Sequence, residues 1–188
     1  MTQTCDILIS GGGIAGLAAA AAFGSAGFSV ICVDPAPPVT DRDTDGADMR
    51  TTAMLQPARD LLQAAGVWDA LAPHGAALDV MQIVDAGGSD GTARTAKAFR
   101  ASDVSDLPFG WNFQNWRLRQ VLVARLEALD SVDFRPGVGA ETLLTRTAEA
   151  RVGLSDGSRV RTRLVIAADG RNSPMRAAAG IGVQTRRY

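Results

Sequence analysis

The sequence predicts an α/β protein built on a parallel sheet, with a smaller antiparallel β part. The first observation is a β-branched run, Ile7 to Ile9, that breaks at three glycines and resumes as an alanine-rich segment of high helix propensity. A second apolar run, Phe28 to Val33, predicts the next strand. A third run, Arg163 to Ala168, predicts a buried strand that returns to the same sheet. Strands that alternate with helices are typical of parallel sheets.

The glycines after the first strand have the spacing Gly11-x-Gly13-x-x-Gly16. In this strand–turn–helix context the spacing is a dinucleotide-binding fingerprint. Gly11 allows a tight turn, Gly13 lets a pyrophosphate approach the backbone, and Gly16 lets the helix pack closely on the sheet. The free N–H groups and the positive dipole end of the helix then face the phosphates.

An acidic residue, Asp34, ends the second predicted strand. An acid about 20 residues beyond the glycines is where such a site places the acceptor for ribose hydroxyls. No arginine follows Asp34, which favours an unphosphorylated ribose and so FAD or NAD over NADP. The alternative is a glycine turn that binds nothing, but strand, glycines, helix, second strand and acid all agree in order.

Composition excludes several classes of function. A length of 188 residues suits one domain, or one and a half. A formal net charge of −1 argues against a nucleic-acid-binding surface, and two cysteines with one histidine give no metal cluster. The N-terminus enters a strand at once, and no apolar run reaches the roughly 18 residues needed to span a bilayer. We therefore expect a cytoplasmic protein, at most attached to a membrane surface.

A long loop rich in proline and aspartate follows Asp34 and ends at Arg50. The pattern then predicts a helix from about Ala53 to Ala65, with Gly66 as its C-cap. Two interpretations of Arg50 are open. It is either a solvated residue at the helix N-terminus or a cationic group that reaches into a cofactor cleft.

The remaining segments are assigned from apolar alternation, helical spacing and turn residues. They are paired strands between Leu78 and Phe99 with a glycine-rich turn from Asp85 to Gly91, a strand from Phe109 to Phe113, a helix from Asn115, a strand from Val132, and short antiparallel strands between Glu141 and Val160 with a hairpin turn at Asp156-Gly157.

A second Asp-Gly pair, Asp169-Gly170, follows the predicted strand that returns to the sheet. Ser173 is placed to cap a following helix, and Pro174 suits its first position. A carboxylate at the carboxyl end of a parallel strand lies in the crevice where ligands bind. This aspartate is therefore a second candidate site residue.

Together these features resemble the single-component flavoprotein aromatic hydroxylases, the group A FAD monooxygenases. The resemblance rests on the glycine fingerprint, Asp34, Arg50 and the run from Ala168 to Arg176. Within that family it is strongest to the ubiquinone-biosynthesis hydroxylases, in the runs Arg50 to Trp68 and Phe109 to Arg119. It implies a Rossmann-like FAD-binding domain of the para-hydroxybenzoate-hydroxylase type, incomplete at the C-terminus.

The resemblance also implies roles for individual residues. The glycines would hold the FAD pyrophosphate, Asp34 the adenosine ribose, and Arg50 the diphosphate or the flavin end. Asn115 and Arg119 would lie near the ribityl chain, and Asp169 would organise the pyrophosphate region. The full set of implied cofactor-binding residues is Gly11, Gly13, Ile14, Ala15, Gly16, Asp34, Arg50, Asn115, Arg119, Val138 and Asp169.

The implied reaction uses NAD(P)H as a transient reductant and O2 to hydroxylate a small aromatic substrate, such as a prenylated phenol. No side chain is assigned general acid–base work. The resemblance further implies peripheral contact with the inner membrane surface or with a quinone-synthesis complex.

The expected FAD-binding domain comprises residues 1–77 and 109–188, and residues 78–108 start an inserted substrate-side β segment. Family members continue beyond the second Asp-Gly motif, so we expect either a fragment or a natural short form. Two alternatives remain open: a non-catalytic flavin-binding or assembly module, and a related FAD-dependent prenyl-lipid reductase. An NAD-linked dehydrogenase is disfavoured because the second Asp-Gly motif has no place in it.

Overall fold

The computed structural model describes residues 2–87 and 92–187. Its strands are β1 (Thr2–Ser10), β2 (Val30–Asp34), β3 (Thr51–Leu55), β4 (Ala76–Ala77), β5 (Val80–Asp85), β6 (Thr95–Arg100), β7 (Gly110–Gln114), β8 (Val132–Pro136), β9 (Ala140–Thr145), β10 (Ala150–Leu154) and β11 (Arg159–Ala167). Its α-helices are α1 (Ile14–Ser25), α2 (Gln56–Ala64), α3 (Trp68–Leu71), α4 (Asn115–Glu127) and α5 (Pro174–Ala178). Single 3₁₀ turns span Ala72–His74 and Ala101–Asp103.

The main sheet has six strands in the order β8-β2-β1-β11-β10-β9. Strands β8, β2, β1 and β11 are parallel, whereas β10 and β9 join as antiparallel strands. The predicted α/β class with a parallel sheet and an antiparallel part is confirmed. Because parallel strands end at one edge, β1, β2 and β11 bring Ser10, Asp34 and Ala167 to the same side of the sheet.

Apolar side chains pack on both faces of this sheet. On one face Ile7 and Ile9 contact the helical layer, whose buried members include Leu17 of α1 and Leu122 of α4. On the other face Leu8 belongs to a second cluster formed with residues of β9 to β11 and Met175 of α5. The central strand β1 is therefore covered on one face by the helical layer and on the other by the second cluster, which includes Met175 of α5.

The predicted helix from about Ala53 to Ala65 is wrong at its start. Residues Thr51–Leu55 form β3, which pairs antiparallel with β7, and the helix begins only at Gln56. Leu55 is the extended N-cap, and Pro57 occupies the first turn, where its missing N–H costs nothing. The distant partner strand decides the conformation of Thr51–Leu55, which apolar periodicity cannot reveal. Gly66 does follow the helix with a positive φ of 69°, as predicted.

The strand predicted from Arg163 to Ala168 exists, but it is not buried. It is the end of β11, and Leu164 is 47% exposed. Apolar side chains in a parallel strand normally indicate cover on both faces, so composition overstated the burial. The second strand is also shorter than predicted, because β2 begins at Val30 and Phe28 remains exposed.

Other predicted elements are confirmed. Strands β5 and β6 pair antiparallel, and a hairpin turn joins β10 to β11 at Asp156-Gly157. Ser173 caps α5 by accepting a hydrogen bond from the Arg176 N–H at 3.0 Å. Of the glycine-rich turn predicted from Asp85 to Gly91, residues 88–91 lie outside the described residues. Within the described ranges, no helix has the length and apolarity that crossing a membrane requires.

The two cysteines, Cys5 and Cys32, are free and buried in β1 and β2. Burial raises the pKa of both thiols, that of Cys32 to about 12. Because the thiolate is the reactive form, neither should react with a thiol reagent at pH 8 in the folded protein. Colorimetric titration should count two thiols only after denaturation. A fast-reacting thiol in the native protein would contradict the strand positions of both residues.

Candidate active site

Two glycines, one in the turn between β1 and α1 and one in the first turns of α1, leave no room for a side chain. Gly11 has a φ of 114°, and a Cβ there would lie 2.3 Å from the carbonyl oxygen of Ala168. A Cβ on Gly16 would lie 1.8 Å from the carbonyl oxygen of Gly11. These glycines therefore let the helix, the turn and the end of β11 meet, as the fingerprint predicts.

Asp34 closes the same turn from the end of β2. Its Oδ2 accepts a hydrogen bond from the Gly12 N–H at 2.5 Å, and its Oδ1 accepts one from the Ala36 N–H at 2.8 Å. Each carboxylate oxygen keeps a second lone pair, which can accept a bond from a ligand hydroxyl. Asp34 is therefore held by backbone donors at the place predicted for a ribose acceptor.

The N-terminus of α1 is open at Gly13. A Cβ on Gly13 would meet no atom within 4 Å, and no side chain caps this end of the helix. Ile14 and Ala15 form the first turn, where N–H groups have no intrahelical partner. These donors and the positive end of the helix dipole suit a phosphate.

Asp169 lies two residues beyond the end of β11, at the same edge of the sheet. Its Oδ2 accepts hydrogen bonds from the Ser10 hydroxyl at 3.4 Å and from the Met175 N–H at 3.0 Å. Its Oδ1 is buried and has no hydrogen-bond partner among the described residues. A buried acceptor without a donor is costly unless a ligand supplies one, so this oxygen indicates a bound hydroxyl or N–H.

A cavity of about 540 Å³ joins these groups. Gly11, Gly13, Asp34 and Asp169 all line it, together with residues of the β8–β9 connection and β9. A larger cavity of about 630 Å³ lies between β9, β11 and α5, and none of the predicted site residues lines it. We place the candidate site in the smaller cavity because it contains the turn, both acids and the helix N-terminus.

Three other predicted residues do not line this cavity and meet around an aspartate that the sequence pattern did not single out. Arg50 donates from Nε and Nη2 to the two carboxylate oxygens of Asp48, both at 2.8 Å. Asn115 donates from Nδ2 to Asp48 Oδ2 at 3.0 Å, and Arg119 Nη2 lies 3.6 Å from the same oxygen. We call these four residues the Asp48 cluster.

Hydrogen bonds from Arg50, and after them from Asn115, hold the pKa of Asp48 well below its usual range. Asp48 therefore stays ionised, and the cluster carries one net positive charge from two guanidinium groups and one carboxylate. The available signal was the Asp48-x-Arg50 spacing at the end of the aspartate-rich loop. This spacing is too common in sequences to identify Asp48 as a site residue without knowledge of the fold.

The eleven predicted residues thus form two groups, with Val138 beside the first of them. The glycines, Ile14, Ala15, Asp34 and Asp169 belong to the turn and its cavity, while Arg50, Asn115 and Arg119 belong to the Asp48 cluster. Val138 is half-buried in the connection between β8 and β9, packs on the second core cluster, and precedes the cavity residue Gly139.

The residues that are present fit an FAD molecule in their chemistry. The open helix N-terminus suits a diphosphate, Asp34 suits ribose hydroxyls, and the buried Asp169 oxygen needs a donor. A flavin dinucleotide carries all three kinds of group on one chain.

Comparison with known proteins agrees with this chemistry. The chain is 33% identical over 186 residues to ubiquinone hydroxylase UbiL of Rhodospirillum rubrum, and it is 31% identical over 191 residues to 3-demethoxyubiquinol 3-hydroxylase of Escherichia coli. Each match takes in 99% of this chain but only 42% and 46% of the relative. The chain therefore spans less than half the length of these curated relatives.

Among solved structures, PqsL of Pseudomonas aeruginosa, described as a probable FAD-dependent monooxygenase, superposes with a TM-score of 0.74 at 25% identity. The superposition covers 99% of this chain and 48% of PqsL. Residues 4–188 match the family described as FAD binding domain. The predicted resemblance to FAD-dependent hydroxylases is confirmed, and the chain belongs to the FAD binding domain family.

Proposed function

We propose that this chain is the FAD-binding part of a monooxygenase that uses NAD(P)H and O2 to hydroxylate an aromatic ring. The single observation that carries the proposal is the cavity in which Gly11, Gly13, Asp34 and Asp169 meet. The similarity to two ubiquinone-related hydroxylases supports an aromatic, prenylated phenol as the substrate.

The redox and oxygen chemistry belongs to the flavin when it is bound, and the protein supplies position and exclusion of water. The helix N-terminus at Gly13 would hold the diphosphate by its N–H groups. Asp34 would accept hydrogen bonds from the adenosine ribose, and the unpaired Asp169 Oδ1 would accept one from the cofactor. Arg50, Asn115 and Arg119 form the cationic and polar group expected near the diphosphate and the ribityl chain.

We also propose that residues 78–108 begin the substrate-side segment. Strands β5 and β6 form an isolated two-stranded sheet, and such hairpins are marginally stable alone in water. Val80, Met81, Ile83 and Val84 of β5 are each about half exposed. A further part of a longer protein or an apolar substrate could pack on this apolar surface. The same surface suits contact with a peripheral membrane site or a quinone-synthesis complex.

The first experiment is an absorption spectrum of the purified chain before and after incubation with FAD and desalting. We expect the bands of oxidised flavin to remain with the protein after desalting. NADH or NADPH oxidation with candidate phenols, with the oxygenated product identified by mass, then tests the activity in a protein of the relatives' full length. If neither the chain nor the longer protein retains flavin, the proposed function is wrong.

A further inference from the structure

Asp48 is the most connected carboxylate of the described chain outside the cavity, although no fingerprint includes it. Its side chain is only 11% exposed, whereas that of Arg50 is 83% exposed. Asp48 Oδ1 accepts bonds from both Nε and the backbone N–H of Arg50, at 2.8 and 3.1 Å. The acid is therefore anchored, and the arginine extends from it into solvent.

The geometry leaves one edge of Arg50 free. A guanidinium carries five N–H donors, of which Asp48 takes one from Nε and one from Nη2. Within the described residues, Nη1 of Arg50 makes no hydrogen bond. The outer edge, formed by Nη1 and the second hydrogen of Nη2, has the fork shape that binds phosphate or carboxylate in two bonds.

The anchor itself is built from distant segments. Asn115 is 7% exposed, receives a hydrogen bond from the Thr52 hydroxyl on Oδ1 at 2.6 Å, and donates to Asp48. The Asn115 N–H also bonds to the Arg50 carbonyl oxygen at 2.9 Å. The Trp116 N–H bonds to the Asp48 carbonyl oxygen at 3.3 Å, so backbone bonds that continue the pairing of β3 with β7 hold Asp48 beside Asn115.

From these contacts we propose that Asp48 is a positioning residue of the cofactor site, which holds Arg50 so that its free guanidinium edge would be available to the FAD diphosphate. This inference rests on the proposed function. Asp48 is negatively charged and does not attract an anionic cofactor, so it contributes by orienting Arg50. Arg119, 23% exposed and 3.6 Å from Asp48, supplies the second positive charge of the cluster.

The direction in which the Kd for FAD changes in Asp48→Asn distinguishes an orienting role of Asp48 from a purely electrostatic one. Asp48→Asn removes a negative charge, so simple electrostatics predicts tighter binding of the anionic cofactor. If Asp48 acts by orienting Arg50, the same change should raise the Kd for FAD by about tenfold, the scale of one charged hydrogen bond. Asp48→Glu should recover most of the affinity because it restores a carboxylate partner.

The Kd for FAD should be measured by flavin fluorescence in the full 188-residue chain, with thermal melting to confirm that each variant folds. Asp45→Asn is the matched control, because Asp45 is an exposed carboxylate of the same loop and the charge change is identical. In an Arg50→Gln background, Asp48→Asn should have no further effect. Equal or tighter binding by Asp48→Asn, or an undiminished effect without Arg50, would overturn the proposal.

A second measurement does not depend on how the variants fold. In the ligand-free wild-type chain, the Arg50 Nε–H should exchange slowly with solvent in ¹⁵N NMR spectra, because Asp48 accepts its proton. Exchange at the rate of a free arginine would show that Asp48 does not hold Arg50 and overturn the inference. If the slow exchange is present but neither this chain nor a protein of the relatives' full length binds FAD, the proposed function is overturned instead, and the cofactor role of Asp48 with it.

Discussion

Gly13→Ser should weaken FAD binding about a hundredfold while leaving the fold at least as stable as the wild type. Serine is among the best N-cap residues, so its hydroxyl should satisfy an N–H group of α1 and contribute roughly a few tenths of a kcal/mol relative to glycine. Gly13 has φ −72° and ψ 176°, which any residue adopts, and an added Cβ meets no atom within 4 Å. The same hydroxyl would occupy the space and the donors that a diphosphate needs.

The measurements are the Kd for FAD and the free energy of unfolding in urea. Gly182→Ser is the matched control, because a Cβ at Gly182 also meets no atom within 4 Å. It should change neither quantity. Wild-type affinity in Gly13→Ser would mean that no ligand approaches the N-terminus of α1, and the cofactor would have to bind elsewhere.

Unlike Gly13→Ser, Gly16→Ala should reduce the stability of the whole fold. Its Cβ would lie 1.8 Å from the carbonyl oxygen of Gly11, so α1 has to move away from the sheet. We expect the free energy of unfolding to fall by about 3 kcal/mol or more, the upper range for overpacking, because backbone cannot rotate out of the way. FAD binding should be lost with the displaced helix.

Gly24→Ala is the matched control for this change, because Gly24 is a buried glycine of the same helix. Its Cβ would lie 2.3 Å from Cγ2 of Val132, a side-chain atom rather than backbone, and alanine has the higher helix propensity by about 1 kcal/mol. Its loss of stability should therefore be clearly smaller. If both variants unfold at the same denaturant concentration, the close approach at Gly16 does not control the packing of α1.

The predicted features that the structure confirms depend on neighbours in the chain. The turn at Gly11, the Ser173 cap and the Asp156-Gly157 hairpin each follow from the backbone requirements of a few consecutive residues. Such requirements select particular residue types at fixed spacing, so they can be predicted from the sequence.

The predictions that were wrong concern features that depend on partners distant in the chain. Thr51–Leu55 forms a strand because Gly110–Gln114 lies beside it, about sixty residues later in the chain. The apolar end of β11 has the composition of a strand that is covered on both faces, yet Leu164 is about half exposed. Only the arrangement of the neighbouring elements decides how much of this strand is covered.

The sequence by itself determined the dinucleotide turn, the acid at the end of β2 and the aspartate after β11, because each lies within two residues of the end of its strand and so at the carboxyl edge of the sheet. The tertiary structure decided which of these groups share a cavity and brought Asn115, 67 residues away, to Asp48. Hydrogen bonds across that separation require the register between β3 and β7. No local pattern of residues encodes that register, so the role of Asp48 emerged only from the folded chain.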